Sequence, residues 1–127
     1  DSFRKNFLKP DPSFFTNMLG YLELFEGHGN HWSFAKIDKV NVLETAEKIR
    51  ISDYCSNGLY FFKTAEIFIN TFSEVEKTHD GELYIAPMYN YLIANGQKIK
   101  FKITGINQTI FCGTPIEYEQ LLKINKK

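Results

Sequence analysis

Residues 55–62 read Cys55-Ser56-Asn57-Gly58-Leu59-Tyr60-Phe61-Phe62, and the apolar run that closes this stretch decides the class of fold. A continuous run from Leu59 to Phe62 suits a central strand buried on both faces of a sheet. Immediately downstream the apolar period changes. Ala65, Phe68, Phe72 and Val75 recur at helical spacing, with Glu66, Glu74, Glu76 and Lys77 on the other side, which predicts a helix over 64–77. His79-Asp80-Gly81 then reads as a loop. A second helix is expected over 86–95, with Pro87 in its first turn, Met88, Leu92 and Ile93 facing inward and Gly96 ending it.

Beyond it, Lys98 to Ile103 alternates charged and apolar residues, the pattern of an edge or half-exposed strand. Thr109 to Cys112 is a short strand candidate. Thr114-Pro115 opens a last helix over 115–124, with Tyr118, Leu121 and Leu122 predicted to face in. Upstream, Tyr21 to Glu26, Trp32 to Ile37 and Val40 to Leu43 are strand candidates. Gly27-His28-Gly29-Asn30 is a turn, and Pro12 to Met18 is a short helix. The fold class is therefore α/β, a mixed sheet with flanking helices, and residues 1–127 read as a single unit without repeats or linkers.

Composition narrows the function. The chain has 127 residues, and 15 Lys+Arg balance 15 Asp+Glu, so no basic nucleic-acid surface is indicated. No apolar run approaches the roughly 20 residues that span a bilayer, and no signal peptide is apparent. Cys55 and Cys112 read as two buried thiols in a reducing, cytoplasmic setting rather than as a disulfide. His28, His31 and Trp32 cluster beside glycines and read as a mobile loop on the ligand side. Two histidines lack the third donor a metal site requires.

Three segments carry chemistry when taken in order. The first is Glu47-Lys48 ahead of Ser56-Asn57-Gly58-Leu59-Tyr60-Phe61. The second is Gly81-Glu82-Leu83-Tyr84-Ile85-Ala86-Pro87-Met88-Tyr89-Asn90, and the third is Phe111-Cys112-Gly113-Thr114-Pro115. Together, over about residues 40–122, they resemble the sugar-phosphate nucleotidyltransferases. That family places a Glu-Lys pair before a strand ending in Gly-Leu-Tyr-Phe, opens a helix after Gly-Glu, and closes on a Gly-Thr-Pro turn.

The resemblance implies a fold of the glycosyltransferase-A type, of which this sequence is the C-terminal, acceptor-binding half. The family's Gly-x-Gly-x-x-Arg loop, which grips the nucleoside triphosphate, has no counterpart here. Asp1, with no initiator Met ahead of it, reads as the opening of an excised piece. The implied reaction joins a nucleoside triphosphate to a sugar phosphate, or a similar phosphomonoester, with release of pyrophosphate. Surface polysaccharide synthesis is the implied setting, and the isolated fragment is expected to be inactive.

Both reactants are anionic, so Mg²⁺ and cationic side chains are expected to screen them. Lys48 is the natural phosphate cation, and Glu47 accepts from acceptor hydroxyls or an amine. Asn57 and the Gly58 backbone lie where a ligand approaches the strand, and Glu82 is a further acceptor contact. Asp1 resembles the family's metal-binding Asp. A second family carboxylate aligns with Phe111, a departure that points to an unusual acceptor, such as a phosphocholine-like or phosphorylated amino-acid-like molecule. An alternative reading is a non-catalytic sugar-phosphate-binding or oligomerising module. In either reading a homo-oligomer is expected, because half a fold leaves apolar surface uncovered.

Overall fold

The computed structural model describes residues 2–125. Five strands form one mixed sheet. They are β2 (Gly20–Glu26), β3 (Ser33–Ile37), β4 (Val42–Glu47), β5 (Tyr54–Phe62) and β6 (Ile99–Ile103), in the order β4-β3-β5-β2-β6. Only β2 and β6 run parallel; the other neighbours are antiparallel. β1 (Ser2–Arg4) pairs with β7 (Thr109–Phe111) in a separate two-stranded ribbon. Among the described residues there are three α-helices, α1 (Ala65–Glu76), α2 (Ile85–Ala94) and α3 (Pro115–Asn125), and two short 3₁₀ helices, Pro12–Phe15 and Ile106–Gln108.

β2 is buried from Gly20 to Phe25, and its period of two sorts the core into layers. Leu22 and Leu24 meet Tyr89 and Leu92 of α2, with Ala35, Val42 and Ile99 completing that cluster. Tyr21, Glu23 and Phe25 belong to the opposite set. Tyr21 meets Phe14 and stacks on Phe61, and Phe15 packs on both. Phe25 meets Phe34 and Cys55, with Trp32 and Phe111 against them.

α2 is tied to the sheet by polar bonds as well as by burial. Asn90 accepts from Thr45 N at 2.8 Å and donates to Thr45 O at 2.8 Å, and so pairs with the backbone of edge strand β4. The buried Tyr89 hydroxyl donates to Phe61 O at 2.8 Å, and its ring stacks on Phe62 at 4.7 Å. Gly20 makes room for that ring, because a Cβ there would lie 2.6 Å from Phe61 O and 2.7 Å from Tyr89 Cε1.

The central strand, the edge position of β6 and the three helices are as expected, but three core assignments change. Leu59 to Phe62 do lie on the middle strand, yet they are only half-buried. The fully buried part of β5 is Cys55 to Asn57, because the helical layer covers the 59–62 end incompletely. In α1 the inward face centres on Thr71, flanked by Ile67, Phe68 and Val75, whereas Ala65 and Phe72 are exposed. Thr71 is accommodated because its hydroxyl donates to Ile67 O at 2.7 Å. In α3 no residue is buried: Tyr118 is 53% and Leu122 42% exposed, and only Leu121 of the expected inner face is half-covered. Helical spacing identified an apolar stripe there, but no layer of the described chain packs on it. No disulfide joins Cys55 and Cys112. Cys55 is buried, and burial pushes its thiol up, whereas Cys112 is half-covered rather than buried.

Candidate functional site: a bulged strand over a buried carboxylate

Leu22 pairs with Tyr60 and Leu24 with Ser56, so Glu23 on β2 faces the three residues Asn57, Gly58 and Leu59 on β5. Such a bulge breaks the ladder and re-aims side chains. Asn57 turns down onto Glu23, its amide donating to Glu23 Oε1 at 2.6 Å and to Thr109 Oγ1 at 3.2 Å. Its Oδ1 accepts from Leu59 N at 3.1 Å, which closes the local turn. Gly58 follows with φ +94°, a conformation that side-chain-bearing residues adopt only at a cost.

Glu23 is only 5% exposed, a carboxylate in the middle of an otherwise apolar strand. Such a charge requires partners. Arg4 of β1 supplies the countercharge through Nε, and Asn57 supplies the neutral donor. Ser2 Oγ donates to Asn57 O at 2.7 Å, so the β1–β7 ribbon is fastened to the bulge at both of its strands.

Above the bulge lies an open cleft of about 700 Å³. Gly58 and Tyr60 form its floor, Trp32 and Phe111 one wall, and the start of α3 at Thr114 and Glu117 another. Trp32 packs against Phe25 at 5.2 Å and Phe111 at 4.9 Å, and its indole donates to His28 O at 2.8 Å. Thr114 and Glu117 form a reciprocal capping box: Glu117 Oε1 accepts from Thr114 N at 3.0 Å, and Thr114 Oγ1 accepts from Glu117 N at 3.2 Å.

At the end of β4, Glu47 pairs in register with Ser33 of β3 and accepts from its hydroxyl. Ser33 Oγ in turn accepts from Tyr60 OH at 3.5 Å, so Glu47 is linked to the cleft floor. Lys48 has φ +58°, and its N–H donates to the carbonyl of Trp32 at 2.9 Å. Its ammonium is fully exposed and lies 3.4 Å from the Tyr84 hydroxyl. The hydrogen bond to that hydroxyl raises the Lys48 pKa above the ordinary lysine value, with Glu47 and Glu82 adding to the effect. Tyr84 OH donates to Glu82 Oε2 at 2.9 Å.

The expected residues therefore fall into two groups. Asn57 and Gly58 line the cleft. Glu47, Lys48 and Glu82 gather at β4 and the start of α2, joined through Ser33 and Tyr84. Asp1 lies outside the described residues. Phe111 is an aromatic wall of the cleft with no carboxylate in its place. Among the described residues no group of three His, Cys, Asp or Glu could hold a metal ion, and His31 lies against the Trp32 ring at 4.1 Å.

Sequence reasoning missed Glu23, Arg4 and Tyr84. A lone acid inside the apolar Tyr21–Phe25 stretch was the available signal for Glu23. Arg4 carried none, because its partner is brought to it only by the ribbon.

The fold is that of the C-terminal half of nucleotidyltransferases, and the solved structures that it resembles belong to that class. In particular, the chain is 44% identical to a nucleoside-diphosphate-sugar pyrophosphorylase from Vibrio cholerae RC9, with a TM-score of 0.85 over 97% of this chain and 53% of that one. A putative glucose-1-phosphate thymidylyltransferase from Bacillus anthracis shares the fold at 18% identity and TM-score 0.58, over 84% of this chain and 43% of that one. The inositol-1-phosphate CTP transferase from T. maritima shares it at 13% identity and TM-score 0.64, over 98% and 53%. The chain thus spans about half the length of these structures. No family model matches it, and no curated protein matches it. No helix among the described residues is long and apolar enough to cross a membrane.

Proposed function

We propose that this chain is the acceptor-binding half of an enzyme that joins a nucleoside triphosphate to a sugar phosphate or a similar phosphomonoester. In that reaction an acceptor phosphate oxygen attacks the α-phosphorus. The new P–O bond forms as the bond to the β-phosphate oxygen breaks, and pyrophosphate leaves. A cytoplasmic role in surface polysaccharide synthesis belongs to the same proposal.

The observation that carries this reading is the cleft over the Gly58 bulge, in a chain 44% identical to a sugar-nucleotide pyrophosphorylase. Gly58 has no side chain to keep a ligand from the strand. Lys48 keeps an exposed ammonium for the acceptor phosphate, held near Tyr84. Glu47, already accepting from Ser33, has further lone pairs for an acceptor hydroxyl or amine. Glu82 orients Tyr84 and through it Lys48.

The described residues do not by themselves fit a divalent cation, because no cluster of donors is present among them. We propose that Asp1 holds Mg²⁺ only together with donors from outside this chain.

The test is a titration of the 127-residue chain with glucose 1-phosphate, phosphocholine and a nucleoside triphosphate, followed through backbone amide shifts. A phosphomonoester is expected to move Lys48, Gly58 and Tyr84 saturably, with the triphosphate giving no such response. Absence of any phosphomonoester response at these amides would overturn the proposal.

A further inference from the structure

The loop that follows β2 presents three successive carbonyls, Gly27 to Gly29, to side-chain donors. The Arg50 guanidinium donates through Nη2 to Gly27 O at 2.9 Å and to Gly29 O. Between them, His28 O accepts from the Trp32 indole at 2.8 Å. Arg50 Nη1 also donates to Ser52 O at 2.9 Å, which ties the same group to the segment before β5.

The guanidinium is fixed on its face as well. It lies over the ring of Phe34, 4.5 Å from the centroid, and Phe34 is buried in β3. Among the described residues Arg50 forms no ion pair. Its donors are directed to backbone carbonyls, a task that suits a planar fork of N–H groups. A lysine keeps the charge but presents a point ammonium, which cannot reproduce the spread of the fork.

This loop leads into the cleft. His31 and Trp32 both line it, their rings 4.1 Å apart. The packing of Trp32 on Phe25 and Phe111 is apolar and non-directional, so the bond to His28 O is what sets the direction of the indole N–H. Arg50 itself does not line the cleft; it borders a separate depression with Gly27, Gly29 and Asp53.

Resting on the acceptor reading above, we propose that Arg50 is a positioning residue for the acceptor. It holds the Gly27 and Gly29 carbonyls, so that the His28 carbonyl between them meets the Trp32 indole and fixes the ring that walls the cleft. Arg50 touches no reactant and acts through Trp32.

The chain has one tryptophan, so one indole N–H resonance reports on this link. Arg50→Lys is expected to speed hydrogen exchange at that indole about tenfold or more, with exchange at the Leu22 and Leu24 amides unchanged. The 127-residue chain and its variants are titrated with glucose 1-phosphate and with phosphocholine, followed through the Gly58 and Tyr84 amide shifts. For whichever the parent chain binds, Arg50→Lys is expected to raise Kd about three- to tenfold. Trp32→Phe removes the indole donor, keeps an aromatic wall and leaves Arg50 untouched. It is expected to weaken binding by a similar factor. Adding Arg50→Lys to Trp32→Phe is expected to cost no further affinity, a non-additivity that a general loss of stability does not produce. Undiminished binding by either single variant, or losses that add in the double variant, overturns this inference and leaves the acceptor reading standing. Failure of the parent chain to bind either phosphomonoester overturns both.

Discussion

The side-chain amide of Asn57 donates to the carboxylate of Glu23 at 2.6 Å, from a bulged central strand to the buried strand beside it. This bond couples the floor of the cleft to the core. Glu23→Gln removes the charge that Arg4 and Asn57 share, and charge-assisted bonds of this kind contribute about 1.5–3 kcal/mol each. A loss of that order is expected in urea unfolding, and a larger one for Glu23→Ala, which leaves the Asn57 amide without its acceptor. Asn57→Asp sets a second carboxylate against Glu23 and is expected to destabilise as well, most at neutral pH. Urea midpoints that match the parent chain for all three variants would exclude the coupling.

Gly58 and Gly20 are expected to respond to alanine for different reasons. At Gly58 a Cβ meets only Ser2 Oγ, at 3.6 Å, so the cost is the φ of +94° alone, about 1–2 kcal/mol. At Gly20 the added atom lies 2.6 Å from Phe61 O, and relieving that overlap is expected to cost about 3 kcal/mol. The test is the ranking: Gly20→Ala should lower Tm clearly more than Gly58→Ala.

Tyr89→Phe isolates one hydrogen bond. The ring stays stacked on Phe62, but Phe61 O loses its buried donor. The expected loss is about 1–3 kcal/mol, with an unchanged denaturant slope. Burial raises the Tyr89 hydroxyl above its ordinary pKa, so no ultraviolet signature of its ionisation is expected in the folded chain through pH 10.

Lys48→Ala is the kinetic test, made in the longer enzyme of which this chain is proposed to be half. Removing the cation leaves the acceptor phosphate without a charge-assisted partner, and acceptor kcat/KM is expected to fall by about one to two powers of ten. The KM for the nucleotide is expected to stay unchanged, and the 127-residue chain alone is expected to show no turnover. A loss confined to the nucleotide would remove Lys48 from the acceptor site.

Self-association is expected at high concentration. Phe3, Ile116, Tyr118 and Ile124 are each more than half exposed along the ribbon and α3, and exposed apolar surface of this kind drives association. Sedimentation velocity should show concentration-dependent growth in s-value, reduced by Ile116→Asp with Ile124→Asp. A single monomer peak up to millimolar concentration would contradict this.

Local patterning in the amino-acid sequence determined the element order, the mixed α/β class and the central place of residues 55–62, because periods of two and 3.6 are written in neighbouring residues. It also determined the family resemblance, because Glu47-Lys48, Gly58-Leu59-Tyr60-Phe61 and Gly113-Thr114-Pro115 are local motifs in a set order. Only the tertiary structure decided which apolar stripes are buried. Phe72 and Tyr118 carry helical spacing yet face outward, because burial depends on whether another layer arrives, and spacing says nothing of that. The site likewise depended on distant meetings. Arg4 reaches Glu23 only through the β1–β7 ribbon, Phe111 meets Trp32 only in the folded wall of the cleft, and the bulge turns Asn57 into the core while leaving Gly58 exposed. Pairing between residues far apart in the chain is set by long-range packing, and no local pattern encodes it.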